Sequence, residues 1–308
     1  MLNLWGLRFN KVLFYLFISC IFIPLNNYSQ DKQITFERIT IDDGLSQGSI
    51  SSILQDHKGF MWFGTKDGLN RYDGYNFTIF KNSPFDSTSL SSNYVECMAL
   101  DKKGTLWIGT SDGLNKYDEN IESFKQFRIN LKNITPRLEG NRINAILANP
   151  QNYDGVLWLG TAYGLVKFDI EREIFSLYEI EVVSNKNYIS TVIMDDDGII
   201  WFTTNEEGII KFDPVTEKYT QIKVKTDKPV IISENHIIRI YKRRNGKIIG
   251  SSPTGIFEVD PKTNIRKPFP INIGNYPPSI LSGVFQFFED NEGKIYLGTY
   301  VGLLVFDE

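Results

Sequence analysis

The sequence predicts an all-β fold: a β-propeller of four-stranded antiparallel blades, with six repeats present. The first observation is a repeated phrase, whose clearest copy runs from Asp101 to Asp118 and reads DKKGTLWIGTSDGLNKYD. The second observation is its spacing of 44 to 51 residues. The second glycine of each copy lies at Gly68, Gly113, Gly164, Gly208, Gly255 and Gly302. A period of this length with strand-like content is typical of radial β arrays.

The third observation is that each repeat holds four short runs with strand-like composition. In the first repeat these are residues 50–55, 60–64, 69–72 and 75–80, which are rich in aromatic and β-branched side chains. Residues 56–59 predict a tight turn between the first two strands, and Asp73-Gly74 predicts a two-residue hairpin loop between the last two. Four antiparallel strands joined by such turns form one propeller blade.

Tryptophan occupies the same position in four successive repeats, as Trp62, Trp107, Trp158 and Trp201. A ligand platform needs different residues gathered at one place, whereas packing between neighbouring blades needs the same residue in every blade. We therefore expect these indoles to fill the contacts between blades. The fifth repeat has no tryptophan and the sixth has Tyr296, so we expect these two blades to pack less tightly.

The repeated glycines have two interpretations. A glycine-rich loop that holds a phosphate opens a helix, and no helix-period stretch follows any of these glycines. We therefore expect them to serve turns with left-handed backbone geometry.

The first 29 residues predict a secretory signal peptide. Arg8 and Lys11 precede an apolar run over residues 12–24, and a polar stretch follows it. Lipidation at Cys20 and an uncleaved membrane anchor are the alternatives. The remaining residues 30–308 predict one propeller domain, with repeats at about 45–92, 93–141, 142–187, 188–235, 236–282 and 283–308.

The mature domain is mildly acidic. Loss of Arg8 and Lys11 leaves 31 basic and 37 acidic residues, so no basic face for nucleic acid is expected. Only Cys97 remains after processing, which excludes an intrachain disulfide, and we expect it to be a small core residue.

Two accounts describe how the ring ends. Residues 34–40 resemble the fourth strand of a repeat, whereas residues 302–308 form a third strand with no fourth behind it. The first segment completes the last blade and closes a six-bladed ring, or the six repeats are an incomplete part of a larger propeller. An open ring would leave a sheet edge and a blade face exposed.

Catalytic signals are scarce, so this chain is not predicted to be an enzyme. His57 and His236 are the only histidines and are far apart in sequence, so neither a metal site nor a cofactor is predicted. The Gly-x-Ser-x-Gly elbow is absent. Most carboxylates recur at turn positions, namely Asp56, Asp101, Asp195 and Asp290, where turn capping accounts for them better than acid catalysis.

Ligand recognition is expected on loops that differ between repeats, at the rim shared by the links from each fourth strand to the next first strand and the loops that join second and third strands. Tyrosines there could stack on a sugar, and carboxylates could accept hydrogen bonds from its hydroxyls. The alternative is that these are ordinary solvated loop residues. The candidates are Asp67, Asp112, Tyr163, Glu206, Tyr276 and Tyr300.

The repeat Gly-x-Leu-Trp-Ile-Gly-Thr-x-x-Gly-Leu-x-x-Tyr-Asp resembles that of the two-component regulator propeller family, as does the opening from Phe36 to Ser46. The resemblance implies the periplasmic sensor region of a hybrid two-component histidine kinase of Bacteroidetes type. It implies an oligosaccharide ligand, a possible homodimer, and further propeller repeats and a kinase region in the parent protein. This sequence carries no ATP-binding motif or receiver domain, so phosphotransfer is not expected of these residues. An interaction scaffold and, less favoured, a secreted carbohydrate-active enzyme are the alternatives.

Overall fold

A computed structural model describes residues 38–131, 141–148, 155–178, 188–205, 207–222, 236–271, 281 and 283–306. These residues form mainly strands, with a 3-10 turn at Ile41–Asp43 before the first blade. The strands make five four-stranded sheets and one three-stranded sheet, each with its strands paired in sequence order and antiparallel. The predicted all-β propeller with six repeats is confirmed. The predicted signal peptide, residues 1–29, lies outside the described residues.

Each repeat forms one blade. Blade 1 contains β1 (Ile50–Gln55), β2 (Met61–Thr65), β3 (Gly68–Tyr72) and β4 (Phe77–Phe80). Blade 2 contains β5 (Val95–Leu100), β6 (Leu106–Thr110), β7 (Gly113–Asp118) and β8 (Ser123–Phe127). Blade 3 contains β9 (Ile143–Ala148), β10 (Val156–Thr161), β11 (Gly164–Asp169) and β12 (Ile174–Tyr178). Blade 4 contains β13 (Ile189–Met194), β14 (Ile200–Thr204), β15 (Gly208–Asp213) and β16 (Lys218–Ile222). Blade 5 contains β17 (Arg239–Lys242), β18 (Ile248–Ser252), β19 (Gly255–Asp260) and β20 (Ile265–Pro268). Blade 6 contains β21 (Val284–Glu289), β22 (Ile295–Thr299) and β23 (Gly302–Phe306).

The loop between the last two strands of blade 1 differs from the prediction. Tyr72 pairs with Phe77, so the loop has four residues and the predicted two-residue Asp73-Gly74 hairpin is wrong. The cause is the side chain of Asp73, whose Oδ1 accepts hydrogen bonds from the backbone N–H groups of Tyr75 and Asn76 at 2.7 and 2.6 Å. This local capping stabilises a wider turn.

The turn between the first two strands of a blade is tied to the tryptophan that follows it. In blade 2, Asp101 Oδ1 accepts the backbone N–H groups of Lys103 and Thr105, each at 2.9 Å. The other oxygen, Oδ2, accepts the indole N–H of Trp107 at 2.9 Å. The same pairing holds Trp62 to Asp56, Trp201 to Asp195 and the hydroxyl of Tyr296 to Asp290. The prediction that these aspartates cap turns is confirmed.

Apolar side chains fill the contact between each blade and the next. Five clusters join the blades in sequence order, and the tryptophans of blades 1 to 4 each lie in one of them. All four indoles are buried and are dispersed among four separate contacts, so their role in blade packing is confirmed. In blade 5 the equivalent Ile249 is also buried. The expected looser packing of blades 5 and 6 stays a prediction.

The second glycine of every repeat has the backbone geometry that the sequence predicted. Its φ lies between +80° and +129° in all six copies, a range that strains other residues. At Gly113 a Cβ atom would lie 2.6 Å from the carbonyl oxygen of Phe127, so glycine is required there by space as well as by φ.

Blades 1 and 6 each present an uncovered apolar face. Among the described residues, no apolar cluster joins blade 6 to blade 1. Ile53 of blade 1 is 58% exposed, and Phe288 and Val305 of blade 6 are 59% and 46% exposed. In the predicted closing strand, residues 34–37 lie outside the described residues and residues 38–40 form no strand. Ring closure by this segment stays a prediction.

Replacing Asp101 with alanine should lower the free energy of unfolding by about 2 kcal/mol, because it leaves the buried indole N–H of Trp107 and two turn N–H groups without their acceptor. Urea denaturation measures the change. Asp118→Ala is the matched control, since Asp118 is exposed and its carboxylate accepts hydrogen bonds from the backbone and side-chain N–H groups of Asn120. It should cost less than about 1 kcal/mol. Equal losses in the two variants would contradict the role assigned to the Asp101–Trp107 pair.

Candidate functional site

A cavity of about 490 Å³ lies on the propeller axis and is lined by the first strands of all six blades. Its wall contains residues 50–53 from blade 1 and one or two residues from each later blade. The residues from the later blades are Glu96, Asn144, Tyr188, Ser190, Arg239, Phe285 and Gln286. No other surface described here gathers side chains from every blade, which makes the axial cavity the candidate site.

A β-bulge aims side chains into this cavity. In blades 1 to 4 and 6 the pairing of the first strand with the second shifts by one residue near its start. The extra residues are Ser51, Glu96, Asn144, Ser190 and Phe285, and all five line the cavity. A bulge redirects a side chain that strict alternation would place elsewhere. Blade 5 has no such shift, and Arg239 supplies its lining residue.

Side chains of the first strands also bond one blade to the next. Ser51 Oγ donates to the carbonyl oxygen of Val95 at 2.6 Å, and Asn144 Nδ2 donates to that of Ile189 at 3.1 Å. The thiol of Cys97 donates to the carbonyl of Ile143 at 3.4 Å. Burial raises the pKa of this thiol well above its usual range, so Cys97 stays protonated and is not an activated nucleophile.

An ion pair and three aromatic contacts extend from the cavity to its mouth. Glu96 pairs with Arg142 at 2.7 Å, and the Arg142 guanidinium lies 5.5 and 5.6 Å from the ring centres of Tyr94 and Tyr188. Lys66 lies 5.4 Å from the Tyr94 ring. Burial raises the pKa of Tyr188 to about 12, against the opposing charge of Arg142. This arc of alternating cations and rings crosses blades 1 to 4.

Arg239 is the second cation of the cavity wall. Its Nε donates to the carbonyl oxygen of Phe285 at 3.2 Å, and its Nη1 donates to that of Ser190 at 3.1 Å. Among the described residues, no carboxylate forms an ion pair with Arg239. Arg239 is half-buried, and this burial lowers the pKa of its guanidinium below the usual range.

Four of the predicted rim residues, Asp67, Asp112, Tyr163 and Tyr300, lie on turns between second and third strands. Asp67 pairs with Lys81 at 2.8 Å, and Asp112 pairs with Arg128 at 2.8 Å. Both carboxylates therefore already tie the turn to the segment that leaves the same blade. A ligand role for either stays a prediction.

The predicted tyrosines differ in their relation to the axis. Tyr300 is 83% exposed, and its ring meets that of Phe285 edge-on at 4.3 Å, which places it beside the cavity. Tyr163 is half-buried, and its backbone N–H donates to Thr161 Oγ1. Glu206 and Tyr276 lie outside the described residues.

Sequence reasoning missed Glu96, Asn144 and Arg239. A signal was present for Glu96 and Asn144, because each is a polar residue within an apolar first strand. Neither histidine lines the cavity, and no nucleophile is paired there with a base. The arrangement of charges, amides and aromatic rings is suited to binding rather than to covalent chemistry.

Comparison with known proteins supports the resemblance drawn from the repeats. The model of the family "Two component regulator propeller" matches residues 44–67 and 89–112. The chain is 46% identical over 70 residues to histidine kinase P4 of Formosa agariphila, covering 23% of this chain and 5% of that protein. The two matched segments lie in the repeats of blades 1 and 2.

Solved structures confirm the fold. The extracellular domain of a putative hybrid two-component system from B. thetaiotaomicron matches with a TM-score of 0.70 and 24% identity, over 88% of this chain and 35% of that one. Virginiamycin B lyase from Staphylococcus aureus matches with a TM-score of 0.60 and 14% identity, over 84% of each chain. The chain thus spans about a third of the B. thetaiotaomicron extracellular domain. Within the described part of the chain, no helix has the length and apolar character for a bilayer crossing.

Replacing Tyr188 with phenylalanine should flatten the loss of stability at high pH. The folded protein holds the Tyr188 pKa at about 12, above the unfolded value of about 10. The protonated Tyr188 phenol therefore makes its full contribution to the free energy of unfolding below about pH 10, and this contribution is lost as the pH rises towards 12. Urea denaturation between about pH 9 and 11 measures this, and we expect a difference below about 1 kcal/mol because the phenol is partly solvated. Tyr75→Phe is the control on an exposed ring; a pH profile of Tyr188→Phe that equals the wild-type profile would contradict the prediction.

Proposed function

We propose that this propeller is the ligand-sensing region of a hybrid two-component sensor and that it responds to glycan fragments outside the cytoplasm. The observation that carries the proposal is the axial cavity, because every blade contributes polar or aromatic side chains to it. Amide, hydroxyl and guanidinium groups in one wall match the hydrogen-bonding groups of a sugar, and rings at the mouth match its apolar face. The repeats of the matching family support the sensor assignment.

The location of the chain follows from the same proposal. The basic and apolar layout of residues 1–29 supports export by a signal peptide to the periplasm. Phosphotransfer then belongs to a kinase region of the parent protein, and this chain binds without catalysis. Fractionation of cells that express the full-length protein tests the location. Recovery of the propeller in the cytoplasm would contradict it.

Calorimetry with a panel of oligosaccharides tests the function. We expect at least one member to bind to the folded protein with a single site per propeller. Absence of binding by every oligosaccharide of the panel, measured on well-folded protein that includes the full set of family repeats, would overturn the proposal. Release of shortened products from the same panel would instead favour a carbohydrate-active enzyme.

Replacing Tyr300 with alanine should weaken binding of any oligosaccharide found in this way by roughly fivefold, since a stacking contact contributes about 1 kcal/mol. The reason is its position beside Phe285 at the edge of the cavity. Tyr75→Ala is the matched control, because Tyr75 is equally exposed but lies between the third and fourth strands of blade 1. Calorimetry on both variants decides; equal affinities would exclude Tyr300 from the site.

A second candidate function is a scaffold for protein–protein interaction. The uncovered apolar faces of blades 1 and 6 favour it, since large exposed apolar patches mark interaction surfaces. Sedimentation with and without candidate partners separates the two functions. A chain that stays monomeric at all concentrations and captures no partner would exclude the scaffold.

A further inference from the structure

Asn144 and Arg239 approach the fourth blade from opposite sides. Asn144 comes from blade 3 and donates to the carbonyl of Ile189, whereas Arg239 comes from blade 5 and donates to the carbonyl of Ser190. The two acceptors are adjacent residues of β13, and both donors line the axial cavity. The amide and the guanidinium therefore flank the same strand at the wall of the cavity.

Asn144 has an oxygen without a partner. The residue is only 7% exposed, and its Oδ1 has no hydrogen-bond partner among the described residues, although it lines the cavity. Exchanging the amide nitrogen and oxygen would set Oδ1 against the Ile189 carbonyl, so the orientation is determined by that contact. A buried acceptor left unpaired destabilises the fold, and such a group calls for a donor from the cavity side.

Arg239 supplies an uncompensated positive charge to the same wall. Its two hydrogen bonds go to backbone carbonyls, which carry no net charge. Glu96 is the other charged residue that lines the cavity and it also attracts Arg239, but its carboxylate already pairs at 2.7 Å with Arg142, which lies outside the lining. One carboxylate thus faces two guanidinium groups. The cavity therefore holds one surplus cation, and a single negative charge would balance it.

We propose that the axial cavity binds a small hydroxylated carboxylate, with the chemistry of a sugar acid, whose carboxylate pairs with Arg239 and whose hydroxyl donates to Asn144 Oδ1. This inference rests on the proposed sensing function and specifies its ligand class. A guanidinium binds a carboxylate through parallel N–H groups, and its remaining donors can serve the ligand while Nε and Nη1 hold the backbone. One surplus cation favours a monoanion over a phosphate dianion. The adjacent acceptor favours a ligand with a hydroxyl over a simple fatty acid.

Paired probes test each half of the contact on the full chain. D-glucuronate and D-galacturonate carry both groups, whereas D-glucose lacks the carboxylate and cyclohexanecarboxylate lacks the hydroxyls. Calorimetry at constant sodium chloride should detect the sugar acids at least about tenfold more tightly than either reduced probe. A neutral oligosaccharide panel runs in parallel as the test of sensing itself.

Two variants test whether Arg239 and Asn144 bind the ligand. Arg239→Gln should weaken the sugar acids at least about tenfold and leave D-glucose unchanged, because it removes the charge. Asn144→Ala should weaken the sugar acids by roughly threefold or more and leave cyclohexanecarboxylate unchanged. Arg172→Gln is the matched control, since it removes the same charge from an exposed turn of blade 3 that does not line the cavity. Circular dichroism and thermal unfolding confirm that each variant is folded, and Arg239→Lys retains the charge should the glutamine variant fail to fold.

The outcomes separate this inference from the proposed function. Sugar acids that bind wild type and Arg172→Gln alike, but bind Arg239→Gln weakly, support it. Neutral oligosaccharides that bind while sugar acids do not would overturn the ligand class and leave sensing intact. Sugar acids that bind Arg239→Gln as tightly as wild type would overturn the site. Failure of every acidic and neutral probe to bind folded protein of full family length would overturn both proposals.

Discussion

The hydrogen bond that an indole N–H donates to the aspartate six residues before it is the interaction on which blades 1, 2 and 4 depend, and the Tyr296 hydroxyl takes its place in blade 6. One carboxylate oxygen closes the turn between the first two strands, and the other fixes the orientation of a buried tryptophan. The indole then fills the contact with the next blade, as Trp107 does against Phe168 of blade 3. Local turn geometry and packing between blades are therefore determined by the same side chain.

The first strand of each blade lines the axial cavity and is available for ligand recognition. Because the aspartate turn, the buried aromatic side chain and the glycine organise most of the blades, the residue at the bulge near the start of the first strand can differ from blade to blade. That position holds serine in blade 1, glutamate in blade 2 and asparagine in blade 3, and all three line the axis. Six similar blades thus surround a cavity whose lining residues differ from blade to blade.

The repeats predicted the blades well because both the period and the turn chemistry are local in sequence. The aspartate turns and the left-handed glycines were found where the sequence placed them. The axial residues were missed for a physical reason: alternation assigns Glu96 and Asn144 to one face of a strand, and a bulge changes that assignment. The predicted length of the loop after Asp73 was wrong for a similar reason, since a hydrogen bond to the Asp73 side chain stabilises a longer turn. The alternation of apolar and polar residues along a strand does not reveal where a bulge or a side-chain cap of this kind occurs.

Blade 5 breaks the pattern at both members of the pair, because Arg243 replaces the aspartate and Ile249 replaces the tryptophan. Loss of the indole removes the need for its acceptor. Arg243 instead pairs with the buried Glu289 of β21 at 3.2 Å, and a buried pair of this kind is costly to break. Near the other end of β21, the Phe285 carbonyl accepts from Arg239. Two arginines of blade 5 therefore bond to the first strand of blade 6, so a ligand bound by the remaining donors of Arg239 would contact the junction at which charged side chains replace the indole.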